Sequence, residues 1–139
     1  MGRGHRAGDL LEAWDWDVLE RREGLLRVAV RLPDHLRNPK GELFGGFTPT
    51  YVDFLALHTY WAGRDPTPGH PWLATVNMRV DYYAPIRSDR FEIEGRVVHR
   101  RGSMVFVDTR FFGPGGELLA YAYTSLKEAR APGAAETAP

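Results

Sequence analysis

The sequence predicts an α+β domain in which a strongly curved antiparallel sheet wraps around one long central helix. Three observations carry this expectation. From Tyr51 to Ala62 nearly every position is apolar, through Val52, Phe54, Leu55, Ala56, Leu57, Tyr60 and Trp61. A helix apolar all round belongs inside a protein. Next, Ala74, Val76, Met78, Val80 and Tyr82 alternate with Thr75, Asn77, Arg79, Asp81 and Tyr83, the period of a half-buried strand. Finally, Arg90 to His99, Ser103 to Phe112 and Glu117 to Lys127 are strand-like runs joined by Arg100-Arg101-Gly102 and Gly113-Pro114-Gly115-Gly116. Such spacing makes an antiparallel meander. A flat sheet cannot cover both sides of a single helix, so this one must curve around it.

Taken in order, residues 1–13 are expected to be an N-terminal arm, glycine-rich and basic as far as Gly8, with one helical turn over Asp9–Ala13. A single domain follows over residues 14–127. Trp14 to Arg21 and Leu25 to Leu32 are predicted strands; in the second, Leu26, Val28, Val30 and Leu32 alternate with Arg27, Ala29 and Arg31. Pro33 to Gly41 connects them to the helix, through the turn Asn38-Pro39-Lys40-Gly41. Thr48 before Pro49 reads as a helix start, hydroxyl as cap and proline where an N–H would be orphaned. Alternatively Gly45-Gly46 opens the helix and Pro49 falls within its first turn. The helix is expected to stop near Ala62-Gly63. Arg64 to Pro71 is a loop by composition, and Pro85 with Arg87-Ser88-Asp89 makes the next break. Residues 128–139, mostly Ala, Gly and Pro, are expected to be a disordered tail.

Composition narrows the function classes. The chain has 139 residues and no cysteine, so disulfides, thiolate metal sites and a cysteine nucleophile are excluded. Lys+Arg and Asp+Glu both count 18, which gives no electrostatic case for nucleic acid. No apolar run approaches a membrane span and no signal-peptide core opens the chain, so a cytoplasmic location is expected. A formal net charge of zero suits a chain that self-associates. Neither a metal nor a cofactor is called for.

The strand order β-β-α-β-β-β-β, with Asn38-x-x-Gly41-x-x-x-Gly45-Gly46 leading into the helix and Asp53 within it, resembles the hotdog fold. Thr75-Val76-Asn77-Met78-Arg79-Val80-Asp81-Tyr82-Tyr83-Ala84-Pro85 adds to the likeness. The chain is most similar to acyl-CoA thioesterases of the phenylacetate-degradation type, within the 4-hydroxybenzoyl-CoA thioesterase superfamily, from about Asn38 to Leu126. That resemblance implies hydrolysis of an acyl-CoA substrate to a free acid and coenzyme A. It implies the family's asparagine at Asn38, a main-chain oxyanion donor at Gly45, the catalytic carboxylate at Asp53, and a hydroxyl holding the attacking water at Thr75. Phe44 stands where the family has a histidine. Phe44, Gly46 and Tyr83 are the candidate substrate-binding residues. Arg87, Arg90, Arg100 and Arg101 are either solvated turn charges or contacts to coenzyme A phosphates.

The chemistry can be argued from the residues as well. Backbone N–H groups at a helix start are fixed donors able to polarise a thioester carbonyl, and glycine there lets a substrate approach the main chain. Asp53, expected as an acid on a buried helix, supplies either a nucleophile or a general base for water. Gly45 and Asp53 lie eight residues apart, roughly 12 Å along a helix, too far to serve one carbonyl. Two chains with antiparallel helices would bring Gly45 of one to Asp53 of the other, and the resemblance implies the same pairing. A homodimer, or a homotetramer built from two dimers, is therefore expected. Two other readings stand beside hydrolysis. One is a non-catalytic acyl-CoA binder or regulator, a role suited to a Phe44 variant. The other is an enoyl-CoA hydratase using the Asp53-x-x-x-x-His58 spacing, although an offset of five points the two side chains about 140° apart on a helix.

Overall fold

The computed structural model describes Met1, residues 3–64 and residues 72–129. The loop expected at Arg64–Pro71 lies outside the described residues after Arg64, as does the expected tail from residue 130 onward. Among the described residues, the long helix and the six strands follow the expected order, and the helical turn expected over Asp9–Ala13 lies earlier, over Arg6–Leu10. Helix α1 (Arg6–Leu10) precedes strands β1 (Asp17–Arg22) and β2 (Leu25–Arg31), then helix α2 (Phe47–Trp61). Strands β3 (Trp72–Tyr82), β4 (Arg90–Arg101), β5 (Met104–Phe112) and β6 (Leu118–Ala129) complete the chain. The six strands form one sheet in the order β1-β2-β4-β5-β6-β3, antiparallel at every pairing.

The sheet curves around α2, which packs against β2, β3, β4, β5 and β6. Tyr51, Val52 and Leu55 pack against Phe91, Ile93 and Phe111, and further along the helix Ala56 and Tyr60 meet Val105, Val107 and Leu126. Alternation supplies this inner face: in β5, Val105, Val107, Thr109 and Phe111 are buried while their neighbours are half-buried. Gly95, buried on β4, lets the helix come close. A Cβ built there would lie 2.0 Å from Thr59 Oγ1.

Two expectations change, and the choice between two helix starts is decided. The expected N-terminal arm is packed onto the domain: Gly8 is buried, Leu11 is fully buried, Trp16 Nε1 donates to Leu11 O at 3.2 Å, and His35 Nε2 meets Leu10 O at 2.8 Å. The expected boundary at residue 128 is also too early, because Glu128 and Ala129 still pair with Leu73 and Trp72 in the sheet. Finally, α2 starts at the glycine pair. Gly46 occupies the cap position without a side-chain cap bond, Pro49 falls in the first turn, and Thr48 is buried instead of capping.

Candidate active site

Helix α2 is sheathed by the sheet on most of its circumference, but one stripe is left open. Pro49, Asp53, Leu57 and Trp61, spaced by fours and therefore stacked on one face, line a cleft of about 600 Å³ between α2 and β3. Asp53 is thus exposed in the single chain, not buried as the apolar run around it suggested. The reason is that the sheet closes on Tyr51, Val52, Leu55 and Ala56 and leaves the Asp53 stripe outside it.

Across the cleft, Thr75 Oγ1 donates a hydrogen bond to Asp53 Oδ1 at 2.5 Å. A threonine hydroxyl that donates its proton keeps two acceptor lone pairs, so it can still receive a hydrogen bond from water. This contact depends on an irregularity in β3. Pairing with β6 shifts register between Thr75 and Asn77, leaving Val76 as an extra, exposed residue. Such a bulge reverses the strict alternation of faces. Thr75 therefore lines the same cleft as Met78, three positions on, where uninterrupted alternation would have set them on opposite faces.

The other predicted residues gather at the N-terminal end of α2. Gly45 and Gly46 are exposed in the turn before the helix, where Phe47 N–H donates to Phe44 O at 2.9 Å and Thr48 N–H to Gly45 O at 3.3 Å. Tyr82 Oη donates to Gly45 O at 2.6 Å; Tyr82, not anticipated from the sequence, ties the end of β3 to the glycine turn. Tyr83 is exposed and does not line the Asp53 cleft. Phe44 is 54% exposed and packs edge-on against Phe47. Asn38 Oδ1 accepts from Lys40 N–H at 2.9 Å and Glu42 N–H at 3.1 Å, a side chain that builds its own loop. One chain therefore brings Asp53 and Thr75 together, and leaves Asn38, Phe44, Gly45 and Gly46 apart from them.

The apolar lining was only partly foreseen. Leu57 and Trp61 of α2 meet Leu73 and Met78 of β3, and the N-terminal residues His5 and Ala7 complete the wall. The signal for the latter lay in Leu11, a large apolar group with no place in a solvated arm and fully buried in the fold. His58 does not line the cleft; its ring packs on Phe54 with centroids 4.4 Å apart. Burial, followed by the nearby His5, Arg21 and N-terminal ammonium, lowers the His58 pKa to about 4. Of the four arginines weighed as phosphate contacts, three stand in ion pairs: Arg87 with Glu42, Arg90 with Asp17 and Arg100 with Glu128. No group of three metal-ligating side chains occurs among the described residues. Nor is any described helix long and apolar enough to cross a membrane.

Comparison with known proteins identifies the family and the fold. The family model of the thioesterase superfamily matches residues 40–120. No curated protein matches the chain. Among solved structures, a hypothetical thioesterase from Streptococcus pneumoniae TIGR4 with coenzyme A superposes with a TM-score of 0.73 at 16% identity, covering 84% of this chain and 88% of that one. A Streptococcus mutans UA159 protein bound to acetyl-CoA gives 0.71 at 18%, over 84% and 90%. A phenylacetic acid degradation-related protein from Ralstonia eutropha JMP134 gives 0.75 at 16%, over 91% and 92%. At these identities the structures speak for the shared hotdog fold. The family match covers more than half of the sequence, and on that ground the chain belongs to the thioesterase superfamily.

Proposed function

We propose that the chain hydrolyses an acyl-CoA thioester to a free acid and coenzyme A, at two equivalent sites formed across a homodimer interface. The observation that carries this reading is the Thr75–Asp53 hydrogen bond at the rim of an apolar cleft. Water held by Thr75 loses a proton to Asp53 as its oxygen attacks the thioester carbon. Alternatively the carboxylate attacks directly and water cleaves the resulting anhydride. Either way the carbonyl oxygen becomes an oxyanion, the C–S bond breaks, and coenzyme A leaves as a thiolate that takes up a proton. The oxyanion needs preorganised donors, and the Gly45 N–H at the start of α2 is the group assigned to it.

That donor must come from a second copy. Gly45 and Asp53 sit at opposite ends of two helical turns, roughly 12 Å apart by helical rise. β3 supports the pairing, being eleven residues long and an edge strand of the sheet. A long edge invites a further strand, and Trp72, Val76, Tyr82 and Tyr83 are each more than half exposed around it. Asn38 and Gly45 of one protomer then face Asp53 and Thr75 of its mate, with Phe44 and Gly46 against the substrate. Coenzyme A and acetyl-CoA in two structural neighbours support an acyl-CoA ligand here. A cytoplasmic enzyme, as a dimer or a pair of dimers, fits such a substrate.

The deciding experiment is an acyl-CoA panel with a free-thiol readout, run on wild type and on Asp53→Asn, alongside sedimentation. We expect Asp53→Asn to keep the fold and the dimer and to lose roughly 10²- to 10⁴-fold in kcat, the usual weight of a general base. Unchanged turnover in that variant removes Asp53 from the chemistry, and a fully active monomer removes the shared site. The exposed Phe44, in place of the family's histidine, favours one second reading: an acyl-CoA binder without turnover. Tight binding with no thiol release in wild type would establish it. The hydratase reading gains no support, because His58 is turned onto Phe54 and away from the cleft.

A further inference from the structure

The turn that opens α2 is held by a side chain from outside it. Two successive glycines, Gly45 and Gly46, sit between Phe44, whose N–H donates to Leu36 O at 2.9 Å, and Phe47, whose N–H donates to Phe44 O at 2.9 Å. Neither glycine has a positive φ. A Cβ at Gly45 would meet only Tyr82 Cε1, at 3.9 Å, an ordinary contact. Among the described residues nothing therefore excludes alanine at position 45, so the bare backbone there serves something that approaches from outside the chain. The Gly45 and Gly46 N–H groups donate to no acceptor among the described residues.

Free donors on a diglycine turn stabilise an oxyanion only if they stay fixed, and glycine has more backbone freedom than any other residue. Tyr82 supplies the restraint. Its Oη donates to Gly45 O at 2.6 Å. A trans peptide is planar, so fixing that carbonyl also fixes the Gly46 N–H, which points the other way in the same plane. Thr48 N–H reaches the same oxygen only at 3.3 Å. The anchor itself is firmly seated: Tyr82 pairs with Ala120 of β6, and the Tyr83 and Ala84 N–H groups both donate to Leu119 O, at 2.9 and 3.1 Å. β3 thus carries Thr75 near one end, bonded to Asp53, and Tyr82 at the other, bonded to the glycine turn. We propose that Tyr82 is a positioning residue, which holds the Gly45–Gly46 main chain as a preformed oxyanion site for Asp53 of the mate. The proposal rests on the shared-site hydrolase reading above and adds to it a residue that touches no reacting atom.

The test measures thiol release from acetyl-, hexanoyl- and phenylacetyl-CoA by wild type and Tyr82→Phe, with fold checked by circular dichroism and association by sedimentation. Tyr82→Phe should lose roughly tenfold in kcat, or ~1.4 kcal/mol. KM should stay within about twofold, because the lost restraint matters only once the oxyanion forms. Mixed dimers, purified through two different tags, then show whose site Tyr82 serves. A Tyr82→Phe chain paired with an Asp53→Asn chain keeps one intact shared site and should retain about half of wild-type turnover. A chain carrying both substitutions, paired with wild type, keeps no intact site and should retain about a twentieth. A tyrosine that merely stiffens the protein would lower both mixed dimers alike. Equal mixed dimers, or an unchanged kcat in Tyr82→Phe, overturn the proposal. The reverse order of the two dimers overturns the shared site on which it rests, and no thiol release from wild type overturns the hydrolase reading.

Discussion

Replacing Gly95 by alanine would put a methyl group where helix α2 already is. The added Cβ would fall 2.0 Å from Thr59 Oγ1, 3.1 Å from Thr59 Cβ and 3.4 Å from Leu55 Cδ2. Thr59 is fully buried and its hydroxyl donates to Leu55 O at 2.8 Å. Rotating Thr59 out of the way would strand that hydroxyl in the core, at about 1–3 kcal/mol. Lifting the helix instead would disturb a close-packed layer, which also costs about 1–3 kcal/mol. Only one of these reliefs is needed, and alanine regains about 0.4–1 kcal/mol by restricting the unfolded chain. The expected net loss is therefore about 1–2 kcal/mol, read from urea unfolding at fixed protein concentration, because association contributes to apparent stability. Thr59→Ala should rescue Gly95→Ala in part, with a coupling energy near ~1 kcal/mol. Rescue stays partial because the 3.1 Å approach of Thr59 Cβ remains. A Gly95→Ala protein as stable as wild type, or strict additivity in the cycle, would refute the claim that helix and sheet meet through this gap.

Other changes have equally definite outcomes. Tyr51 Oη is buried with no hydrogen-bond partner among the described residues, so Tyr51→Phe should leave stability unchanged or raise it by up to ~2 kcal/mol. A loss beyond ~1 kcal/mol in denaturant unfolding would mean that the hydroxyl is satisfied in the folded protein. Thr75→Ala should lower kcat roughly ten- to a hundredfold, at ~1.4 kcal/mol per decade, while Thr75→Ser, which keeps the hydroxyl, recovers most of it. Equal losses in both would show that the methyl group and not the hydroxyl matters. His58 titrates near 4 in the folded chain, held there first by burial, against about 6.5 unfolded. Above pH 6.5 both states are neutral and nothing is lost. As pH falls towards 4 the unfolded state gains the proton first, so stability should decline, at no more than ~1.4 kcal/mol per pH unit. His58→Gln should flatten that part of the pH–stability curve, and a slope identical to wild type would assign the decline to other groups.

The sequence disclosed the parts of the fold that obey one period over many residues. β3 to β6 were legible because alternation and Gly-rich turns agree, and α2 because no strand could be apolar for so long. Exposure of Asp53 was hidden for the opposite reason. A stripe such as Pro49, Asp53, Leu57 and Trp61 is mostly apolar whether it meets a sheet or a cleft. Composition cannot tell a wall that packs against protein from one that waits for a ligand. The helix start was ambiguous too: Thr48-Pro49 carries a strong cap signal, yet the helix is capped two residues earlier, at Gly46, and Thr48 is buried in the core.

Thr75 shows how a site can run against the pattern around it. Period-2 reading sets Thr75 with Asn77 and Arg79, opposite Met78 and Val80. The bulge at Val76 cancels that parity for the first residues of β3 alone. Without it, Thr75 would face the outside of the sheet and Asp53 would have lost its hydroxyl partner. The same bulge leaves the Val76 side chain exposed at the free edge of the sheet. An exposed valine costs little in one chain, but on a strand edge offered to a second copy it becomes contact area. One irregularity thus turns the hydroxyl towards the acid and an apolar residue towards solvent. Deleting Val76 removes the extra residue and leaves Thr75 next to Asn77 and on the face of Met78, so the hydroxyl should still reach Asp53 while apolar contact area at the edge is lost. Sedimentation should show weaker self-association, with thiol release kept at protein concentrations that restore the dimer. A deletion variant that associates as tightly as wild type would show that the edge valine is not contact area.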